Sequence, residues 1–246
     1  MQRYKLEDNV MAKVKLICFD MEGTLLQKAV PGIKSGVAPS VWEAIAEALG
    51  QNALSEEKRT QEKYKNKKYA SYTEWMEETI EIHRRHRLSK EMFLRLIDNV
   101  QYTKGVKEVF KVINDRGLPT CLISGGFKNQ ADRLIQDLKI KHAFVACEYF
   151  WDRNGFLDHW NLLPADKIGK KLFLNHLIHE YGFDQSECLF VGDGENDVPI
   201  AQEVGFSIAF NAQDELKKVA THIIDQAEGE EDFQGVLNFL NEGRLL

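Results

Sequence analysis

Hydrophobic and polar positions along the chain fall into two textures. From about residue 40 to 99, apolar residues recur every third or fourth position in "VWEAIAEALG", "SEEKRTQEKYKNKKYA", "SYTEWMEETIEIHRRHR" and "SKEMFLRLIDNV". That spacing gives helices with one buried face. Pro39-Ser40 is a helix opening, Gly50 a stop, and the serines that start the later segments are N-cap residues. From Gly105 onward, short apolar runs such as "LPTCLISGG", "AFVACEYFW", "ECLFVGDG" and "FSIAF" alternate with helical stretches. This alternation predicts parallel strands with helices on both faces of the sheet. The run "KVKLICF", residues 13 to 19, shares the second texture. The expected architecture is therefore α/β, a doubly wound parallel sheet formed by residues 11–27 and 101–246, with a small helical unit, residues 28–100, inserted after the first strand. "WDRNGFLDHW" predicts a hairpin turning on Asn154-Gly155.

A length of 246 residues accommodates a large domain with an insertion. With 28% charged residues and a formal net charge of -6, the chain lacks the basic excess of a nucleic-acid binder, so nucleic acid is not an expected partner. No run of apolar residues is long enough for a membrane span, and "MQRYKLEDNVMAKV" lacks the apolar stretch of a signal peptide. Met11 can serve as an alternative start. Cys18, Cys121, Cys147 and Cys188 stand singly among apolar neighbours, without metal or redox spacing. Reduced core thiols and a cytoplasmic location are expected.

The sheet alone does not account for how three of its strands end. "ICFD-MEGT", "CLIS-GG" and "LFVGD-GEND" each lead into a polar, glycine-bearing turn. In open α/β sheets the ligand crevice lies beyond the carboxyl ends of the strands, so these residues can converge. Asp20, Glu22, Asp193 and Asp197 would put carboxylates together in one crevice, an arrangement that demands a cation. Donors that are all oxygen, with room for water, suit Mg2+. Backbone N–H groups after Ser124, placed at a helix start, would make an anion cradle with phosphate as the natural occupant. A lysine from the next helix would complete the charge balance, and the whole is equipment for phosphoryl transfer.

In this order the motifs resemble those of the haloacid dehalogenase (HAD) superfamily of phosphatases. Asp20 to Thr24 is similar to its first motif, Ser124 to Phe127 ("SGGF") to its second and Gly192 to Asp197 ("GDGEND") to its fourth. "SGGF", the helical insertion and "IAFNA" at 208 to 212 resemble the phosphoserine phosphatase-like branch in particular. The resemblance implies a Rossmann-like HAD core with a helical cap. It further implies a Mg2+-dependent phosphomonoester hydrolase that works through an aspartyl phosphate. In that scheme Asp20 is the nucleophile and Glu22 the general acid and base. Asp20, Asp193, Asp197 and the Glu22 backbone carbonyl hold the metal, while Ser124, Gly125, Asn196 and Lys170 hold phosphate. Among Lys167, Lys170 and Lys171, Lys170 stands before Phe173 and Leu174 as the family's lysine does, with Lys167 as the alternative. Most of the family carries aspartate where Glu22 stands, so this chain adds one methylene to the reach of its acid.

The resemblance leaves the leaving group open. The positions that match the substrate-binding acid and arginine of the phosphoserine enzymes hold Ala29 and Glu77, which argues against phosphoserine as the substrate. Trp42, Tyr72, Trp75 and Met76 fit either a leaving-group pocket or the cap core. His83 and His86, flanked by arginines, are expected on a solvated helix face. Phe150, Trp151 and Trp160 offer a dimer contact if exposed. The expected partner is a small phosphorylated metabolite, with no membrane, and the chain a monomer or homodimer. Two alternatives stay open: a phosphotransferase using the same intermediate, and a catalytically silent HAD-fold binding protein.

Overall fold

The computed structural model describes residues 13–28, 40–227 and 229–243; Met11, Ala29 and Pro39 lie outside them. The strands are β1 (Leu16–Phe19), β2 (Thr120–Phe127), β3 (His142–Trp151), β4 (Leu157–Leu162), β5 (Cys188–Gly192), β6 (Phe206–Phe210) and β7 (His222–Ile224). The helices are α1 (Val41–Leu49), α2 (Gln51–Lys65), α3 (Tyr72–Arg85), α4 (Lys90–Asp98), α5 (Val106–Asp115), α6 (Lys128–Leu138), α7 (Ile168–Tyr181), α8 (Val198–Ala201), α9 (Asp214–Lys217) and α10 (Gln234–Glu242). The strands form one sheet in the order β4-β3-β2-β1-β5-β6-β7, parallel except for β4, which pairs antiparallel with β3 as the expected hairpin.

Strand β1 is buried throughout because both of its faces are covered. Ile17 and Phe19 join a core layer with α1, α4, α5, α6 and α10, whereas Leu16 and Cys18 join a second layer with α7 and α8. The period-two alternation of a strand therefore sends successive side chains to different layers, and a run with no polar residue satisfies both. Full burial of each such side chain is worth about 1.5–3 kcal/mol. All four cysteines are buried free thiols. Among the described residues, no helix is long and apolar enough to cross a membrane.

Ser40, Ser71 and Ser89 cap α1, α3 and α4 by accepting the N–H of Glu43, Glu74 and Met92. Two local expectations need correction. Helix α2 starts at Gln51, not Ser55, because Gly50, at φ 112°, ends α1 and leads straight into it. The Ser124–Phe127 segment does not open a helix. It continues β2 through a register shift, Phe127 still paired with Cys147, and α6 starts only at Lys128.

Candidate active site

The site lies where β1, β2 and β5 end side by side in the sheet. Asp20 follows β1 directly, its N–H donating to Val191 O at 2.9 Å, so the end of β5 fixes the end of β1. Behind it the chain reverses, with Leu25 and Leu26 both donating to Met21 O at 3.0 and 2.9 Å. Gly23 enables this turn at φ 81°, and a Cβ there would run into the Asp193 carboxylate. The conformation and the close approach both require glycine.

Asp20, Asp193 and Asp197 are buried and offer carboxylate oxygens that all lie within 4.8 Å of one another. Lys170, fully buried in the first turn of α7, donates to Asp20 Oδ1 at 2.6 Å and to Asp197 Oδ1 at 2.5 Å. The other oxygen of Asp197 accepts the N–H groups of Asp193 and Gly194, both at 3.0 Å. Asp197 therefore fastens the β5 turn to Lys170, while Asp193 meets the Lys28 ammonium coming from the loop after β1. Lys167, the alternative lysine, points elsewhere: it lies 3.8 Å from Glu195 and 4.8 Å from the centre of the Tyr64 ring.

Charge in this cluster is out of balance. Burial pushes the Asp20 carboxyl well up despite the pull of Lys170, and burial pushes Asp193 up to about 6 despite Lys28. Burial alone would pull Lys170 down, but Asp197 and Asp20 outweigh it and hold the ammonium above its usual range. Carboxylates of this kind gain from a further cation. The donors on offer are all oxygen, and Lys28 already brings one positive charge to Asp193 on a side chain that is 40% exposed. The set fits a hard divalent ion such as Mg2+.

Glu22 accepts the Val41 N–H at 3.1 Å through Oε2, and its buried Oε1 has no partner. Burial pushes this carboxyl up to about 7. A side chain poised between acid and base, with an idle oxygen near Gly126, suits proton transfer. Ser124 is buried within β2, where the register shift begins, its Oγ accepting the Gly126 N–H at 3.2 Å. Gly125 turns its carbonyl to Trp42 Nε1 at 3.3 Å. Asn196 donates to Asp166 Oδ1 at 2.7 Å.

Asp20, Glu22, Ser124, Gly125, Asp193 and Asn196 open into one cavity of about 240 Å³ that also reaches α1, α2 and α3, with Lys170 and Asp197 buried behind them. Trp42, Tyr72, Trp75 and Met76 line it, while Met76 is also buried and Trp42 also packs against the core, so the residues serve both the cavity and the packing beneath it. Glu77 is exposed and is not among the lining residues. His83 is the clear correction: it is fully buried, with Nδ1 2.9 Å from Tyr149 Oη and Nε2 3.3 Å from Glu57 Oε2. Its arginine neighbours suggested a solvated face, yet on α3 it continues the buried stripe of Met76, Thr79 and Ile80. Lys28, Glu57 and Asp166 also line the cavity. Sequence reasoning missed all three. Of these, Glu57 alone had a signal, since it completes an i, i+4, i+7 stripe with Ala53 and Thr60. Phe150 is 43% exposed, whereas Trp151 and Trp160 pack partly buried against the core.

The sequence model of the haloacid dehalogenase-like hydrolases matches residues 14–205. A phosphoserine phosphatase of Lactococcus lactis is 26% identical over 223 residues, covering 88% of this chain and 92% of that protein. Another, of Archaeoglobus fulgidus, is 26% identical over 209 residues, 84% of this chain but 55% of its own length. Among solved structures, a phospho-aspartyl intermediate analogue of phosphoserine phosphatase aligns with a TM-score of 0.72 at 22% identity, covering 92% of this chain and 99% of that one. A substrate-bound phosphoserine phosphatase complex aligns equally well, with a TM-score of 0.72 at 22% identity, over 92% of this chain and 98% of that one. At this identity the structural likeness speaks for the fold.

Proposed function

Since the chain belongs to the haloacid dehalogenase-like hydrolases, we propose that it is a Mg2+-dependent phosphatase that hydrolyses a small phosphomonoester through an aspartyl phosphate on Asp20. The observation that carries this reading is Lys170 bridging Asp20 and Asp197, with Asp193 alongside and the idle Glu22 oxygen in the same cavity. An Asp20 oxygen attacks phosphorus and the ester oxygen departs with the Glu22 proton. Water then attacks the aspartyl phosphate, gives its proton to Glu22 and restores Asp20. Lys170 fixes the orientation of the nucleophile and offsets part of the charge on the transferred group. The Ser124 hydroxyl and the backbone N–H groups beside it hold the phosphate oxygens. Asp20, Asp193, the Glu22 carbonyl and, directly or through water, Asp197 would hold Mg2+, which when bound supplies charge neutralisation between nucleophile and phosphate. Residues 28–100 act as a cap over this chemistry, and the protein works in the cytoplasm.

A phosphomonoester screen with Mg2+, including p-nitrophenyl phosphate, tests the reading; no hydrolysis of any ester would refute it. Glu22→Gln cannot pass a proton, and its kcat falls on the order of 10²–10⁴-fold. The loss is smallest for p-nitrophenyl phosphate, whose leaving group needs little protonation. Steady-state kinetics with an alkyl and an aryl ester measure the difference.

Metal and protons compete for the same carboxylates. In the metal-free protein Asp193 and Glu22 titrate above ordinary carboxylates, so the folded state binds protons more tightly than the unfolded chain between about pH 4 and 7. Stability of the metal-free form falls as pH rises through that window. Adding Mg2+ therefore raises Tm by more at pH 8 than at pH 5, as differential scanning fluorimetry can measure; an equal shift at both would contradict the assignment.

A further inference from the structure

The part of the cavity formed by the helices has a chemistry of its own. Trp42, Tyr72 and Trp75 wall it, with the thioether of Met76. Trp75 stacks on Tyr64, centroids 4.1 Å apart at 17°, and donates Nε1–H to Thr60 Oγ1 at 3.0 Å. Trp42 packs on Phe127 at 4.3 Å and is tied to the Gly125 carbonyl. Both indoles are thus held by neighbours and offer the cavity fixed aromatic surface.

One charged side chain from the described helices lines this region, Glu57, at 2% exposed. Carboxylates are rarely buried to this degree without a reason. What holds it is a relay to the sheet: Glu57 Oε2 to His83 Nε2, and His83 Nδ1 to Tyr149 Oη. A ring with its proton on Nε2 donates to one Glu57 oxygen and accepts the tyrosine hydroxyl at Nδ1, an arrangement that satisfies both partners. The described cavity lining holds one basic side chain, Lys28, and it is engaged by Asp193.

A buried carboxylate in a cavity walled by electron-rich rings, with a single basic side chain in the described lining, is complementary to an organic cation. Resting on the phosphatase reading above, we propose that the substrate is the phosphate monoester of an amino alcohol, with its ammonium group against Glu57 and among Trp42, Tyr72 and Trp75. The cavity, at about 240 Å³, lies below the roughly 300–1,000 Å³ of pockets for drug-sized ligands and suits so small a leaving group. An amino-acid leaving group would bring a carboxylate as well, and the described lining offers it no basic side chain beyond Lys28.

The test compares a cation with its neutral carbon isostere. Choline phosphate and 3,3-dimethylbutyl phosphate differ in one atom, nitrogen against carbon, and hence in charge. The wild-type enzyme with Mg2+ hydrolyses the cation with a kcat/KM at least about tenfold higher, the factor that 1.4 kcal/mol provides. Glu57→Gln collapses that ratio toward one. Tryptophan fluorescence gives a readout that needs no turnover: choline alone quenches the wild-type protein saturably, and 3,3-dimethylbutanol does so at least about tenfold more weakly on the same scale. Equal binding and equal turnover of charged and neutral members would overturn the proposal, and this wild-type comparison decides the matter even if Glu57→Gln does not fold. Failure to hydrolyse p-nitrophenyl phosphate or any other ester, with choline still preferred over its isostere, would instead sink the phosphatase reading and leave the cation site standing.

Discussion

Asp20→Asn lowers kcat for every phosphomonoester by a factor on the order of 10⁴–10⁶, the cost of removing a nucleophile from a site whose other parts stay in place. An amide of the same shape cannot displace the ester oxygen, yet it still accepts the Lys170 ammonium that Asp20 Oδ1 receives at 2.6 Å. Burial disfavours the Asp20 charge. The variant therefore folds, with a Tm equal to or above that of the wild type in the absence of metal. Kinetics and calorimetry on the same preparation separate the two effects. A variant that lost activity only because it was unfolded would carry no information about the nucleophile.

Lys170→Met produces the second large effect, and it strikes stability as well as turnover. Its ammonium is fully buried and satisfies Asp20 and Asp197 together. Methionine fills much of the same space but leaves two carboxylates without their cation. Breaking a buried pair of this kind costs about 3–5 kcal/mol. For a chain of this size that lowers Tm by roughly 10 °C. The sign with pH follows from the same groups: protonation of the stranded carboxylates relieves the loss, so the deficit against wild type shrinks from pH 8 toward pH 5. Thermal unfolding at both pH values measures it. A deficit that grew toward low pH would mean that Lys170 does not serve to balance these acids.

Much of this could be read in advance because the chemistry sits where the folding signal is strongest. The apolar run ending in Phe19 declares a strand buried on both faces; a carboxylate after one such strand is an ordinary turn or cap residue, and it is Asp20, Ser124 and Asp193 at three strand ends together that point to a site. Lys170 is preferred among three lysines through the resemblance, because Phe173 and Leu174 follow it as the apolar face follows the family's lysine. What escaped was polar residues buried by tertiary contact. His83 hides among arginines because a hydrophobicity pattern does not count an imidazole as core, although its partners Tyr149 and Glu57 bury it. Glu57 lies in "SEEKRTQEK", where the stripe facing inward is Ala53, Glu57 and Thr60, too polar to stand out. Lys28 follows a turn with no periodicity at all. The strand read as "LPTCLISGG" runs one residue further than its paired glycines suggest, because the register shift keeps Phe127 paired with β3.

The nucleophile itself can be seen directly. An acid quench of the wild-type enzyme with Mg2+ and a ³²P-labelled phosphomonoester traps any covalent phosphate, and proteolysis with mass spectrometry locates it. The label falls on the peptide carrying Asp20, discharges with hydroxylamine as an acyl phosphate must, and is missing from Asp20→Asn. Label on a different residue, or none at all while turnover proceeds at full rate, contradicts the assignment.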